Sequence, residues 1–154
     1  MRRQRPQIND PRHAGVALHI EVEEEATRQR PRSVLLLEDR ADFRSVLCEY
    51  LVSCCSYEVT SVRSGVAGLR EIIKRPFDLI ICDMMMPRMG GEMFYWAVTR
   101  VRPAARQRFI FFTGHKNNPK IEFFFRRVNA TVLYKPFKLA ALDSAIHEVF
   151  RKLR

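Results

Sequence analysis

From residue 33 onward the chain sets five short apolar runs against five amphipathic segments, and this alternation restricts the possible folds more than any other feature. The runs are SVLLL (33–37), YEVTSV (57–62), FDLIIC (77–82), FIFF (109–112) and ATVLY (130–134). Their length and apolar continuity predict strands buried on both faces, as in a parallel sheet. The intervening segments have helical spacing. Phe43, Val46, Leu47, Tyr50 and Leu51 share one face, and Val66, Leu69, Ile72 and Ile73 share another, behind Ser64 as N-cap. Phe94, Ala97, Val98 and Val101 follow the same rule. Asn118–Pro119 reads as an N-cap followed by a first-turn proline, with Ile121, Phe124 and Phe125 facing inward. The final stripe is Leu139, Leu142, Ile146, Val149, Phe150 and Leu153, beside the basic residues Arg151, Lys152 and Arg154. Five βα units in series imply a right-handed, doubly wound α/β sandwich.

Residues 1–31 lack this periodicity and are rich in Arg, Gln, Pro and Glu. They read as a disordered extension with at most a helical turn over 21–29, and the run Glu23–Glu24–Glu25 as solvated charge. Residues 32–154 then form one domain, with no output domain after it. The net charge of +10 falls almost wholly on that domain, whose 21 basic and 12 acidic residues give +9. A basic surface attracts nucleic acid, anionic lipid or an acidic partner without choosing among them. No apolar stretch approaches the roughly 18 residues of a membrane span, and VALHIEV (16–22) is too short for a signal peptide core. Cys48, Cys54, Cys55 and Cys82 fit neither a zinc pattern nor a disulfide framework, so they read as reduced thiols of a cytoplasmic protein.

The residues that end the strands carry the chemistry. The first run ends in Glu38–Asp39, the third in Asp83, the fourth in Thr113–Gly114 and the fifth in Lys135–Pro136. The carboxyl edge of an open parallel sheet is its binding crevice, so these groups converge there. Three close carboxylates resist full ionisation unless a cation joins them, and Mg²⁺ suits an all-oxygen site that also meets phosphate oxygens. One carboxylate can attack phosphorus, while Lys and a hydroxyl take the remaining oxygens of the transferring group. Singly, each residue has a plainer reading: an Asp at a strand end is often a cap, and Lys-Pro often a loop. Asp42 reads as the N-cap of the first helix.

The segments VLLLEDRADF (34–43), FDLIICDMMMPRMGG (77–91), FIFFTGH (109–115) and VLYKPF (132–137) resemble the receiver domains of two-component response regulators, over about residues 33–152. FIFFTGH and VLYKPF are especially similar to receivers attached to hybrid histidine kinases. The resemblance implies a flavodoxin-like (βα)5 fold with strand order 2-1-3-4-5. It implies that Asp83 is the phosphoacceptor and a Mg²⁺ ligand, with Asp39 binding the ion directly, Glu38 through water and Met85 through its backbone carbonyl. Thr113 would hydrogen-bond the phosphoryl group, Lys135 would pair with it, and the Lys135–Pro136 peptide would be cis. The donor would be a sensor histidine kinase or a histidine phosphotransfer protein, and the chain a stand-alone signalling phosphoacceptor rather than an enzyme in the usual sense.

Other residues are more open. His115 could steer water or a partner's phosphate, or have no duty; His13, His19 and His147 lack ligand spacing. In the Met84–Met85–Met86 run, alternation packs Met84 and Met86 inward and leaves Met85 at the mouth, where it could shield an acyl phosphate. Tyr95, Trp96 and Phe123 fall outside the inward stripes and read as half-buried surface aromatics or partner contacts. Many receivers carry an aromatic switch residue three positions before the lysine; here that position is Val132, and Tyr134 shares its strand parity. The competing classes are a phosphorylation-independent interaction module, which loss of an acid would have favoured, and nucleic-acid binding, which lacks a helix-turn-helix.

Overall fold

Two faces of one sheet bury two separate sets of side chains, and period-two alternation along the strands sorts them. In the computed structural model, which describes residues 30–154, five parallel strands stand in the order β2-β1-β3-β4-β5. They are β1 (Ser33–Leu37), β2 (Glu58–Val62), β3 (Leu79–Asp83), β4 (Phe109–Thr113) and β5 (Thr131–Tyr134). The helices are α1 (Ala41–Ser53), α2 (Gly65–Lys74), α3 (Gly91–Val101), α4 (Pro119–Val128) and α5 (Leu139–Lys152), with a 3₁₀ turn at Pro103–Gln107. The predicted class and strand order both hold.

On one face Leu35, Leu37, Ile80, Cys82, Phe109 and Phe111 pack against α2, α3 and α4. On the other Val34, Leu36, Leu79, Ile81, Ile110 and Phe112 pack against α1 and α5. Strands β1, β3 and β4 are buried at every residue, as runs apolar on both faces must be. Strand β2 departs from the expectation: it lies at the sheet edge with one neighbour, so none of its residues is fully buried. All four cysteines are free, and Cys82 is at the centre of the core.

Local signals explain most helix starts. The Ser64 hydroxyl accepts from the Ala67 N–H at 3.2 Å, and the Asn118 side chain accepts from Lys120 and Ile121 at 3.1 and 3.3 Å. Asn129, at φ 52°, closes α4 in the left-handed region that asparagine tolerates. Asp42 is not an N-cap: α1 begins one residue before it, with Arg40 in the cap position. The Arg40 N–H is taken instead by the Glu38 carboxylate at 2.9 Å, so the acid that ends β1 organises the turn.

Several stripe residues face solvent, namely Val46, Val66, Ile73, Val101 and Leu139, because each helix covers the sheet with a narrower band than its apolar pattern spans. Tyr95 is corrected in the other direction. It is 4% exposed, in edge contact with Trp96, Phe109 and Phe124. Helix α3 meets the sheet and α4 together, which makes its buried sector wider than one stripe. Trp96 is half-buried, as expected, whereas Phe123 is 61% exposed rather than half-buried. The proposed helical turn over 21–29, the acidic run 23–25, His13 and His19 lie outside the described residues.

Candidate functional site

Strand order reverses between β1 and β3, and the groups that follow these strands share the crevice the reversal opens. Glu38, Asp39 and Asp83 each offer an oxygen there, all within 4.8 Å of one another. Glu38 is wholly buried and Asp83 is 3% exposed, whereas Asp39 is open to solvent. Gly91 donates its N–H to the Met84 carbonyl at 3.0 Å, so the start of α3 closes tightly on the loop behind Asp83.

Lys135 reaches this pair of buried acids from the end of β5. Its Nζ donates to Asp83 Oδ2 at 3.2 Å and to Glu38 Oε2 at 3.3 Å. The Lys135–Pro136 peptide is cis, and the Lys135 N–H donates to the Thr113 carbonyl at 2.8 Å. The ammonium also lies 4.9 Å from the ring centre of Phe112 and 5.1 Å from that of Phe43. Neither ring was flagged by the sequence. The only hint was that Phe112 precedes Thr113 and Phe43 opens the α1 stripe.

Asp83 Oδ1 accepts from the Met85 N–H at 3.1 Å, which leaves Oδ2 to the lysine. Burial pushes the Asp83 carboxyl above its ordinary range, against the opposing pull of the Met85 N–H and Lys135. Burial likewise raises Glu38, with the Arg40 N–H opposing it and the Asp83 charge adding to it. Three carboxylates face one ammonium, so the cluster is short of positive charge when fully ionised. An all-oxygen, partly open, electron-rich cleft of this kind fits a hard divalent cation.

Thr113 is fully buried at the end of β4, and its hydroxyl accepts from the His115 N–H at 3.1 Å. Among the described residues no hydrogen bond joins Thr113 to Asp83. The His115 side chain is exposed, with no polar contact to the acids. Met84 and Met86 are buried and Met85 is 51% exposed, the alternation expected of the run. Val132 packs into the α3–α4 core. Tyr134 leans toward α4 instead: its hydroxyl donates to Glu122 at 2.6 Å and Lys116 lies over its ring.

Residues 34–147 match the family model of the response regulator receiver domain. The chain belongs to that family. It is 28% identical over 121 residues to a probable chemotaxis protein CheY of Rhizobium etli, covering 79% of this chain and 94% of the relative. It is 30% identical to the response regulator receiver protein CpdR of Brucella abortus, over 77% of this chain and 96% of that protein. Among solved structures, the chemotaxis protein CheY4 of Vibrio cholerae superposes with a TM-score of 0.68 at 27% identity, covering 78% of this receiver and 99% of that chain. The receiver domain of the Pseudomonas aeruginosa sensor histidine kinase PA1611 has the same TM-score at 22% identity, covering 79% and 99%, and shares the fold; it was solved with a magnesium ion coordinated in its active-site cleft. Receivers of this kind are signalling proteins rather than classical enzymes. Among the described residues, no helix is long and apolar enough to cross a membrane.

Proposed function

We propose that this receiver takes a phosphoryl group on Asp83 from a phosphohistidine of a sensor histidine kinase or histidine phosphotransfer protein. The observation that carries the reading is the meeting of three carboxylates within 4.8 Å of one another with a lysine bound to the two buried ones. An Asp83 oxygen forms the new bond to phosphorus as the phosphorus–nitrogen bond of the donor breaks, and the imidazole leaves with that bonding pair. With one oxygen held by the Met85 N–H, Asp83 meets the donor in a fixed orientation. The Lys135 ammonium, anchored on Glu38, stays in place to pair with the arriving oxygens. Thr113 supplies a hydroxyl from β4 once its bond from the His115 N–H is exchanged.

The residues that would hold Mg²⁺ are Asp39 and Asp83 directly, Glu38 through water and Met85 through its backbone carbonyl. The ion supplies charge neutralisation for the transferring group. A cytoplasmic setting accords with four unpaired cysteines, one at the centre of the core.

Incubation with Mg²⁺ and acetyl phosphate, read by intact mass, tests the assignment. One added phosphoryl group is expected, lost on chelation and in Asp83→Asn. Labelling that survives the substitution places the acceptor elsewhere. Absence of labelling with small donors and kinases alike would favour an interaction module that works without phosphorylation.

A further inference from the structure

Charge in the second half of the chain is one-sided, and the fold sorts it by residue type. Between Glu92 and Asp143 stand ten basic residues and one acid, Glu122, whose carboxylate is taken by the Tyr134 hydroxyl. The four lysines of this stretch, Lys116, Lys120, Lys135 and Lys138, lie in or beside the loops that follow β4 and β5, at the Asp83 end of the sheet. Its six arginines all lie at the opposite end, where strands begin and helices stop. Arg100 and Arg102 close α3, Arg106 and Arg108 belong to the 3₁₀ turn and its exit, and Arg126 and Arg127 are in the last turn of α4. The last turn of α5 adds Arg151, and Arg154 follows it.

These termini are neighbours in space. Arg106, Asn129 and Lys152 border one hollow, which joins the 3₁₀ turn to the ends of α4 and α5. The Arg127 guanidinium lies 5.2 Å from the ring centre of Trp96, setting the end of α4 against α3. Arg102 and Arg108 are half-buried and hold the fold: they donate to the carbonyls of Ile72, at 2.6 Å, and Asp78, at 3.2 Å. Arg100, Arg106, Arg126, Arg127, Arg151 and Arg154 are exposed, and none of them is paired with an acid among the described residues. Basic groups in a last helical turn complement the helix dipole, but that does not account for the arginines of the 3₁₀ turn. Unpaired guanidiniums set side by side repel one another, a cost that an anionic partner removes.

The residue type narrows the partner. The planar fork of arginine pairs with phosphate oxygens two at a time, which lysine does not do. A protein interface or a bilayer would call for an apolar centre, and Val101 is the single large apolar side chain exposed at these termini among the described residues. Unstacked bases would call for an open ring, yet Trp96 lies under Arg127, and the exposed Phe123 sits in the middle of α4.

We propose that this end of the receiver binds the phosphate backbone of double-stranded nucleic acid without reading its sequence. Phosphate contacts of this kind need no helix-turn-helix. The surface shares no residue with the carboxylate cluster, so it stands independently of the phosphoacceptor reading.

The test uses the full chain and a fluorescein-labelled DNA duplex of mixed sequence, followed by anisotropy. A Kd of about 10 μM or below is expected in roughly 50 mM salt, weakening about a hundredfold by roughly 200 mM, as counterion release from about four phosphates requires. A duplex of unrelated sequence should bind within about threefold. Arg106→Gln combined with Arg126→Gln should weaken binding at least about tenfold and lower the salt slope by about 2. Lys116→Gln combined with Lys120→Gln removes the same charge at the Asp83 end and should change affinity by less than about threefold. Dispersed amide spectra confirm that each variant is folded, and Asp83→Asn should bind as the parent does. Binding that is absent or insensitive to salt, or equal weakening by the two charge-matched pairs, would overturn the proposal. Tighter capture of polyglutamate or of phosphatidylserine vesicles than of DNA would overturn it too, and would mark the face for an acidic protein or a membrane.

Discussion

Gly91 offers a direct way to disturb Asp83 without touching a charge. A Cβ at this position would sit 2.8 Å from Met84 Sδ, 3.0 Å from the Asp83 carbonyl oxygen and 3.0 Å from Met84 Cα. The sulfur belongs to a side chain 4% exposed, with no room to swing into, and the other two atoms are backbone. Relief requires either α3 or the loop after Asp83 to move by a few tenths of an ångström. Overpacking of this kind costs about 1–3 kcal/mol, against a helix-propensity gain of less than about 1 kcal/mol at a first-turn position. Gly91→Ala should therefore lose about 1–2 kcal/mol, lowering Tm by roughly 3–10 °C for a domain of this size. Because the Asp83 carbonyl is one of the atoms displaced, phosphorylation by acetyl phosphate should also slow, by about ten- to a hundredfold. Gly114→Ala is the control: nothing lies within 4 Å of a Cβ there and φ is not positive, so stability should change by about 0 to +1 kcal/mol. Thermal melts and single-turnover labelling of both variants decide it. A Gly91→Ala protein that melts and labels like the parent would refute the argument that close packing of α3 on this loop holds Asp83.

Three further outcomes are expected. Asp83 and Glu38 ionise near 3.8 and 4.5 in the unfolded chain and higher in the fold, so the native state binds more protons and stability falls as pH rises through the raised values. Urea unfolding in chelator from about pH 4 to 8 should show that fall, shallower in Asp83→Asn; parallel curves would exclude this origin. Met85→Asn should shorten the phosphoryl lifetime, since it replaces a half-exposed thioether at the mouth of the site with a group that can position water; equal half-lives would remove the shielding role. Tyr134→Phe removes the hydrogen bond to Glu122 and should cost about 0.5–1.5 kcal/mol by urea titration while leaving Asp83 labelling unchanged; a slowed labelling rate would show instead that this ring is coupled to the acceptor.

The candidate site was legible because strand ends are marked in sequence by an abrupt change from apolar to charged. Glu38, Asp39, Asp83 and Lys135 each follow such a break, and topology alone then brings them together. Caps were legible where a side chain does the capping, as at Ser64 and Asn118, and not at Arg40, where the cap geometry comes from an acid two residues earlier. Burial by helix stripe failed in both directions, at Val46 and at Tyr95, since a stripe shows periodicity but not how many neighbours a helix meets. The Phe43–Lys135–Phe112 arrangement depends on contacts between segments remote in the chain, which no local pattern encodes.

The two rings beside Lys135 have a consequence for what happens when charge changes hands. Under the proposed transfer the charge on Asp83 passes to phosphoryl oxygens, so the ammonium exchanges one anionic partner for another while Glu38 stays beside it. Phe43 and Phe112 give it a resting place that does not depend on the ionisation of either acid. In the proposed transfer the positive charge would thus be held near its starting place, and little reorganisation would be asked of it at the moment of reaction.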